Sequence, residues 1–229
     1  DGDNDPDVLI TGMNSSDERI AKLYTNDGVG NFVEKARIPF DGVESGSVAF
    51  SDVDGDDDPD LLITGSKDRF GDTLIAKLFK NDGAGNFSEM SDTPFDGVEY
   101  SSIAFEDVDG DDDPDLLITG RNLNDEITKL YINDGEGNFT EKTNTPFDGV
   151  DRGSIAFSDV DGDGDSDLVI TGFKSFDELI AKLYLNDGQG NFTEKMGTPF
   201  EEVYISSISF ADVDGNSTPD LLITGKNSS

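Results

Sequence analysis

The sequence predicts an all-β fold of tandem four-stranded antiparallel repeats of about 53 residues, arranged as a β-propeller or as an open, non-closing array of the same blades in a fibre. Two observations predict it. The stretch "DVDGDDDPDLLITG", Asp52 to Gly65, begins again at Asp107, Asp159 and Asp212 with spacings of 55, 52 and 53 residues, and a clipped copy starts at Asp1. Each period also holds four short runs of β-branched and aromatic residues bounded by Gly, Asp, Asn or Pro, the signature of strands. The chain therefore divides as one tandem-repeat domain over 1–229: a partial repeat 1–45, repeats 46–100, 101–152 and 153–205, and a partial repeat 206–229.

The second repeat shows the elements in order. "GSVAF" (46–50) reads as a first strand, and the aspartate-rich stretch leads into "DLLITG" (60–65) as a second. The loops that follow, such as "SKDRFGDT" and "RNLNDE", vary between repeats and are the candidates for any specificity. "IAKLF" (75–79) is the third strand and "GNFSEM" (85–90) contains the fourth. Between these two lies an Asn-Asp-Gly-x-Gly run, "NDGVGNF" at Asn26 to Phe32 and its three repeats. Its residues tolerate positive φ and so form a tight turn. A weaker cation site at Asp27, Asp82, Asp134 and Asp187 is the alternative reading of that run. "TPFDGV" and its variants close each repeat, with Pro setting an extended approach and Phe packing between units.

Composition narrows the function. With 51 acids against 16 bases the net charge is -35, which excludes a nucleic acid or anionic membrane held by charge and makes cations the natural partner. There is no Cys and no His, so thiolate sites, the usual zinc ligands and the commonest general base are absent. No apolar run approaches the roughly 18 residues of a membrane helix, so no membrane insertion is expected. The chain opens on Asp1 without a signal-peptide pattern and reads as a mature chain or a window cut from a longer one.

Counted from Asp52, acids stand at loop positions 1, 3, 5, 7 and 9, with Gly at 4 and Pro at 8. Oxygen ligands spaced by two in a tight loop can turn onto one ion, as a six- to eight-coordinate calcium site requires. A solvated acidic turn is the alternative. It is disfavoured because carboxylates a few ångströms apart repel at about 1 kcal/mol per pair even in water. An EF-hand is ruled out, since position 12 is Ile63 within a strand rather than Glu.

"DVDGDGDSDLVITG" (Asp159 to Gly172) and "LYLNDGQGNF" (Leu183 to Phe192) resemble the two hallmarks of the FG-GAP and VCBS repeat family, and the resemblance runs along essentially the whole chain. It implies calcium-loaded propellers on secreted or cell-surface proteins that bind, adhere or form scaffolds. Carried over by position, the side-chain ligands are Asp52, Asp54, Asp56 and Asp60, with Asp58 offering its backbone carbonyl. The equivalents are Asp107, Asp109, Asp111, Asp113 and Asp115, then Asp159, Asp161, Asp163, Asp165 and Asp167, with one calcium ion for each complete loop. The first copy keeps Asp1, Asp3, Asp5 and Asp7. In the last, Asn216 and Thr218 replace acids beside Asp212, Asp214 and Asp220, which weakens that site.

The expected function is therefore a non-enzymatic, calcium-binding extracellular protein with a structural or adhesive role, self-associating or joined to neighbouring repeats of a longer chain, as in a filament. A propeller binding glycans or surface proteins is the alternative, disfavoured for sugars by the absence of Trp and the five Tyr. A carboxylate-dependent hydrolase ranks lower, because nearly half of the acids are already placed in cation loops. Sequons at Asn14, Asn86, Asn138, Asn191, Asn216 and Asn227 are candidate glycosylation sites.

Overall fold

A computed structural model describes residues 2–3, 5–175 and 178–228 and is all-β. A first sheet comprises β1 (Val8–Met13), β2 (Arg19–Asn26) and β3 (Phe32–Glu34). Three four-stranded sheets follow: β4 (Val48–Ser51), β5 (Asp60–Ser66), β6 (Leu74–Asn81) and β7 (Phe87–Glu89); β8 (Glu99–Glu106), β9 (Asp115–Arg121), β10 (Glu126–Asn133) and β11 (Phe139–Lys142); β12 (Asp151–Ser158), β13 (Asp167–Lys174), β14 (Glu178–Asn186) and β15 (Phe192–Glu194). The hairpin of β16 (Tyr204–Ala211) and β17 (Asp220–Lys226) comes last. Within every sheet, strands adjacent in sequence are adjacent in space and antiparallel, so each repeat is one up-and-down blade.

The second strand of each blade explains why its sequence is apolar without alternation. β5 lies between β4 and β6 and is buried at all seven positions, because each face is covered by a neighbouring sheet. The first strands face one another from sheet to sheet, β4 on β8, β8 on β12 and β12 on β16. Three of them begin earlier than the sequence pattern suggests, because a bulge near the start lets pairing resume upstream. The register shifts between Glu99 and Ser102, Asp151 and Ser154, and Tyr204 and Ser207. Tyr100, Arg152 and Ile205 turn the bulge with φ near +50°.

The core lies between sheets rather than within one. Leu62 and Leu78 of the second sheet join Leu116, Ile118 and Tyr131 of the third in one cluster, and Leu117 and Leu130 of the third join Leu168, Ile170 and Tyr184 of the fourth in another. The "PF" phenylalanines sit in these junctions as expected. Phe40 meets Phe79 and Phe87 edge-on, Phe95 meets Tyr131 and Phe139, and Phe147 meets Tyr184 and Phe192, all with centroids 5.0–5.2 Å apart. No sheet closes on itself among the described residues, an arrangement common to an open array and a propeller. No helix long and apolar enough to cross a membrane is present among them.

Candidate metal centres

Four aspartate loops are each organised by their own first carboxylate. Asp52 Oδ1 accepts from the backbone N–H of Gly55 (2.9 Å) and Asp56 (3.2 Å), and Oδ2 accepts from Asp57 (2.8 Å). Asp107 repeats this with Gly110, Asp111 and Asp112, Asp159 with Gly162 and Gly164, and Asp212 with Gly215, Asn216 and Ser217. Wrapping the chain this tightly needs left-handed backbone at positions 4 and 6. Gly55 (φ +72°) and Asp57 (φ +68°) supply it in the second repeat.

The ninth position anchors the loop. Asp60 is 1% exposed; its Oδ2 accepts from Val53 N at 3.2 Å and its Oδ1 from Asn81 N at 2.8 Å, so one carboxylate joins loop, second strand and third strand. Asp115 holds Val108 and Asn133 in the same way, and Asp167 holds Val160 and Asn186. Burial pushes Asp60 up to about 6 and Asp115 up to about 7, the backbone donors opposing it and the neighbouring carboxylates adding to it. Asp167 is raised for the same reason.

Positions 1, 3 and 9 converge. Asp52, Asp54 and Asp60 bring one oxygen each within 4.8 Å of one another, as do Asp107, Asp109 and Asp115, then Asp159, Asp161 and Asp167, then Asp212, Asp214 and Asp220. Positions 5 and 7 lie outside these groups. Asp56, Asp111 and Asp163 each accept from the N–H two residues on, that of Asp58, Asp113 and Asp165. The position-7 side chains lean on the Asn-Asp-Gly turn: a Cβ on Gly83 would stand 2.4 Å from Asp58 Oδ2, and Asp5, Asp113 and Asp165 crowd Gly28, Gly135 and Gly188 alike.

At the two ends the loops differ. Asp1 lies outside the described residues; Asp3 Oδ1 accepts from Asp5 N and Asp7 Oδ1 from Asn26 N. In the last loop the Asn216 side-chain oxygen accepts from Thr218, through both its N–H and its hydroxyl.

The turn aspartates do something else. Asp27, Asp82, Asp134 and Asp187 each accept from the backbone N–H two and four residues on and from the Nδ2 of Asn31, Asn86, Asn138 or Asn191. The Asn side chain leads the hydrogen bonds that hold each of these carboxylates below its ordinary range. These bonds give each turn carboxylate a structural duty of its own. Three of the six sequons, at Asn86, Asn138 and Asn191, fall on exposed residues of that turn, where the amide has this structural duty. Asn14 lies in the turn after β1 with its amide on Glu18, and Asn216 and Asn227 are exposed.

The convergent groups suit a hard divalent cation. Every donor is a carboxylate oxygen, and oxygens on opposite sides of a calcium ion stand about 4.6–5.2 Å apart for bonds of about 2.3–2.6 Å, which accommodates the 4.8 Å grouping. At position 3, Asp54 Oδ1 and Asp109 Oδ1 are buried with no hydrogen-bond partner; Lys80 already faces the other oxygen of Asp54, whereas Asp109 has no ion pair among the described residues, a costly state for a buried carboxylate unless a cation faces it.

A comparison with curated proteins finds no match. The sequence model of the FG-GAP-like repeat matches residues 1–63, 107–170 and 159–223, which together take in more than half of the chain. With the aspartate loops and the blades they introduce, that match makes the chain a member of the FG-GAP-like repeat family.

Proposed function

We propose that this chain is a non-enzymatic, calcium-stabilised repeat protein of the extracellular space or cell surface, with a structural or adhesive role. The observation that carries the metal reading is the three-carboxylate group that returns in four aspartate loops, with the buried, unpartnered Asp109 Oδ1 inside the one formed by Asp107, Asp109 and Asp115. Asp52, Asp54 and Asp60 hold the ion in the second repeat, Asp107, Asp109 and Asp115 in the third, Asp159, Asp161 and Asp167 in the fourth. The bound cation supplies charge neutralisation, and the chain's own residues convert it into rigidity. Asp60 passes the constraint to Val53 and Asn81, and so to the junction with the next blade. Melting with calcium and with excess chelator tests the reading: a sharp fall in Tm on chelation is expected, and an unchanged Tm sinks it.

Self-association is supported by the edges. Among the described residues β1 pairs only with β2 and β17 only with β16, while Ile205, Leu222 and Val213 are 68%, 63% and 80% exposed. Such edges take up further strands, from neighbouring repeats or another copy. Electron microscopy of calcium-loaded protein separates filaments from uniform particles. The sequons fit a secreted glycoprotein, and intact mass of native material tests them.

A further inference from the structure

We infer that Lys80 is a built-in counter-cation of the second aspartate loop, so that this loop is held by an internal ammonium where the third and fourth loops depend on a metal ion. The inference rests on the calcium reading of the loops.

Lys80 immediately precedes the asparagine of its Asn-Asp-Gly turn, and the residues in the same place in the other repeats are Thr25, Ile132 and Leu185. Only the second repeat carries a charge there. Its Nζ pairs with Asp54 Oδ2 and lies 3.2 Å from Asp56 Oδ2, joining loop positions 3 and 5. The Asp54 side chain is 10% exposed, so this is a half-surface cation reaching a buried anion rather than a solvated pair. In the third repeat the residue at this place is Ile132, an uncharged side chain packed against the apolar core between the third and fourth sheets. Among the described residues no other lysine forms an ion pair with an aspartate loop, although the charge of Lys142 reaches Asp109 from a distance and opposes the rise that burial causes there. Lys142 donates to the Gln189 carbonyl at 2.8 Å and Lys35 to the Ala84 carbonyl at 3.2 Å, both on the next blade's turn.

An ammonium offers three donors and one positive charge, enough to offset part of the loop's repulsion without an ion. A divalent ion binding at Asp52, Asp54 and Asp60 must then displace Lys80 or accept a like charge a few ångströms away. Two positive charges against one at about 4 Å in water weaken binding by roughly ten- to a hundredfold. Displacement is open to Lys80, whose side chain is 42% exposed. The loops are consequently graded: as calcium falls, the second retains its form while the third and fourth loosen.

The test compares the wild-type chain with Lys80→Ile, the third repeat's residue, and with Lys80→Arg. Calcium titration calorimetry should show one site gaining roughly ten- to a hundredfold in affinity in Lys80→Ile, with the others unchanged. In chelator Lys80→Ile should melt below the wild type, and in saturating calcium it should not; Lys80→Arg should follow the wild type in both. A merely structural salt bridge would lower Tm equally in both conditions, and that result, or an unchanged isotherm, overturns the inference while leaving the calcium reading intact. Absence of calcium uptake by both proteins would overturn the two together.

Discussion

The side-chain amide of Asn133 donates to the backbone carbonyl of Val53 at 2.9 Å, across 80 residues of sequence. Val53 is position 2 of the second aspartate loop, and its N–H is already held by Asp60. The same joint recurs between Asn186 and Val108 at 2.9 Å. Both valines are 1% exposed. The second and third aspartate loops are therefore also the latches that fix their blades to the next, which is how a cation in such a loop can stiffen the array.

Breaking the latch should cost stability at one junction. In Asn133→Ala the Val53 and Pro114 carbonyls both lose a donor, and a buried unsatisfied group costs about 1–3 kcal/mol. Asn81→Ala, whose amide donates to Pro59 alone among the described contacts, should cost less. Calorimetric melting of the two variants against wild type checks the order.

Replacing the buried unpartnered carboxylate separates metal from fold. Asp109→Asn should abolish one calcium site while leaving the chelated protein as stable as wild type or more so, because it removes a charge that burial and the neighbouring Asp111 and Asp107 already oppose. Asp109→Ala or Asp54→Ala should also lose the site. Equal calcium stoichiometry in Asp109→Asn and wild type would contradict the assignment.

Stability without metal should fall as pH rises. Asp60 and Asp115 are raised from 3.8 to about 6 and about 7. The folded chain thus binds more protons than the unfolded one between these limits, and the stability gained from protonation is lost as pH climbs through 6 to 7. Calcium competes with those same protons, so stabilisation by calcium should grow over that range. Melting at pH 5, 6, 7 and 8 should show Tm falling up to about pH 7 in chelator and a flatter profile in saturating calcium, with the gap between the two widening over that range.

The turn aspartates should behave as structure only. Asp134→Ala removes the acceptor of Glu136 N, Asn138 N and the Asn138 amide. It should lower Tm yet leave the number of calcium ions unchanged in titration; a lost ion would restore the second cation site that the turn's sequence allowed.

Much is legible in the sequence alone. The period near 53, the four strands per repeat and the positions of the acids are local patterns, because strand alternation, turn chemistry and ligand spacing act over a few residues. The sequence by itself determined an all-β repeat with an acidic loop before each second strand. Only the tertiary structure decided which acids meet. Asp52, Asp54 and Asp60 converge while Asp58 leans on Gly83, since a tightly wrapped loop sends alternate side chains to different neighbours. Nor could spacing reveal that Val53 meets Asn133, or that Lys80 reaches Asp54. Those contacts span 80 and 26 residues, and the stacking of one sheet on the next and the pairing of strands within a sheet decide them.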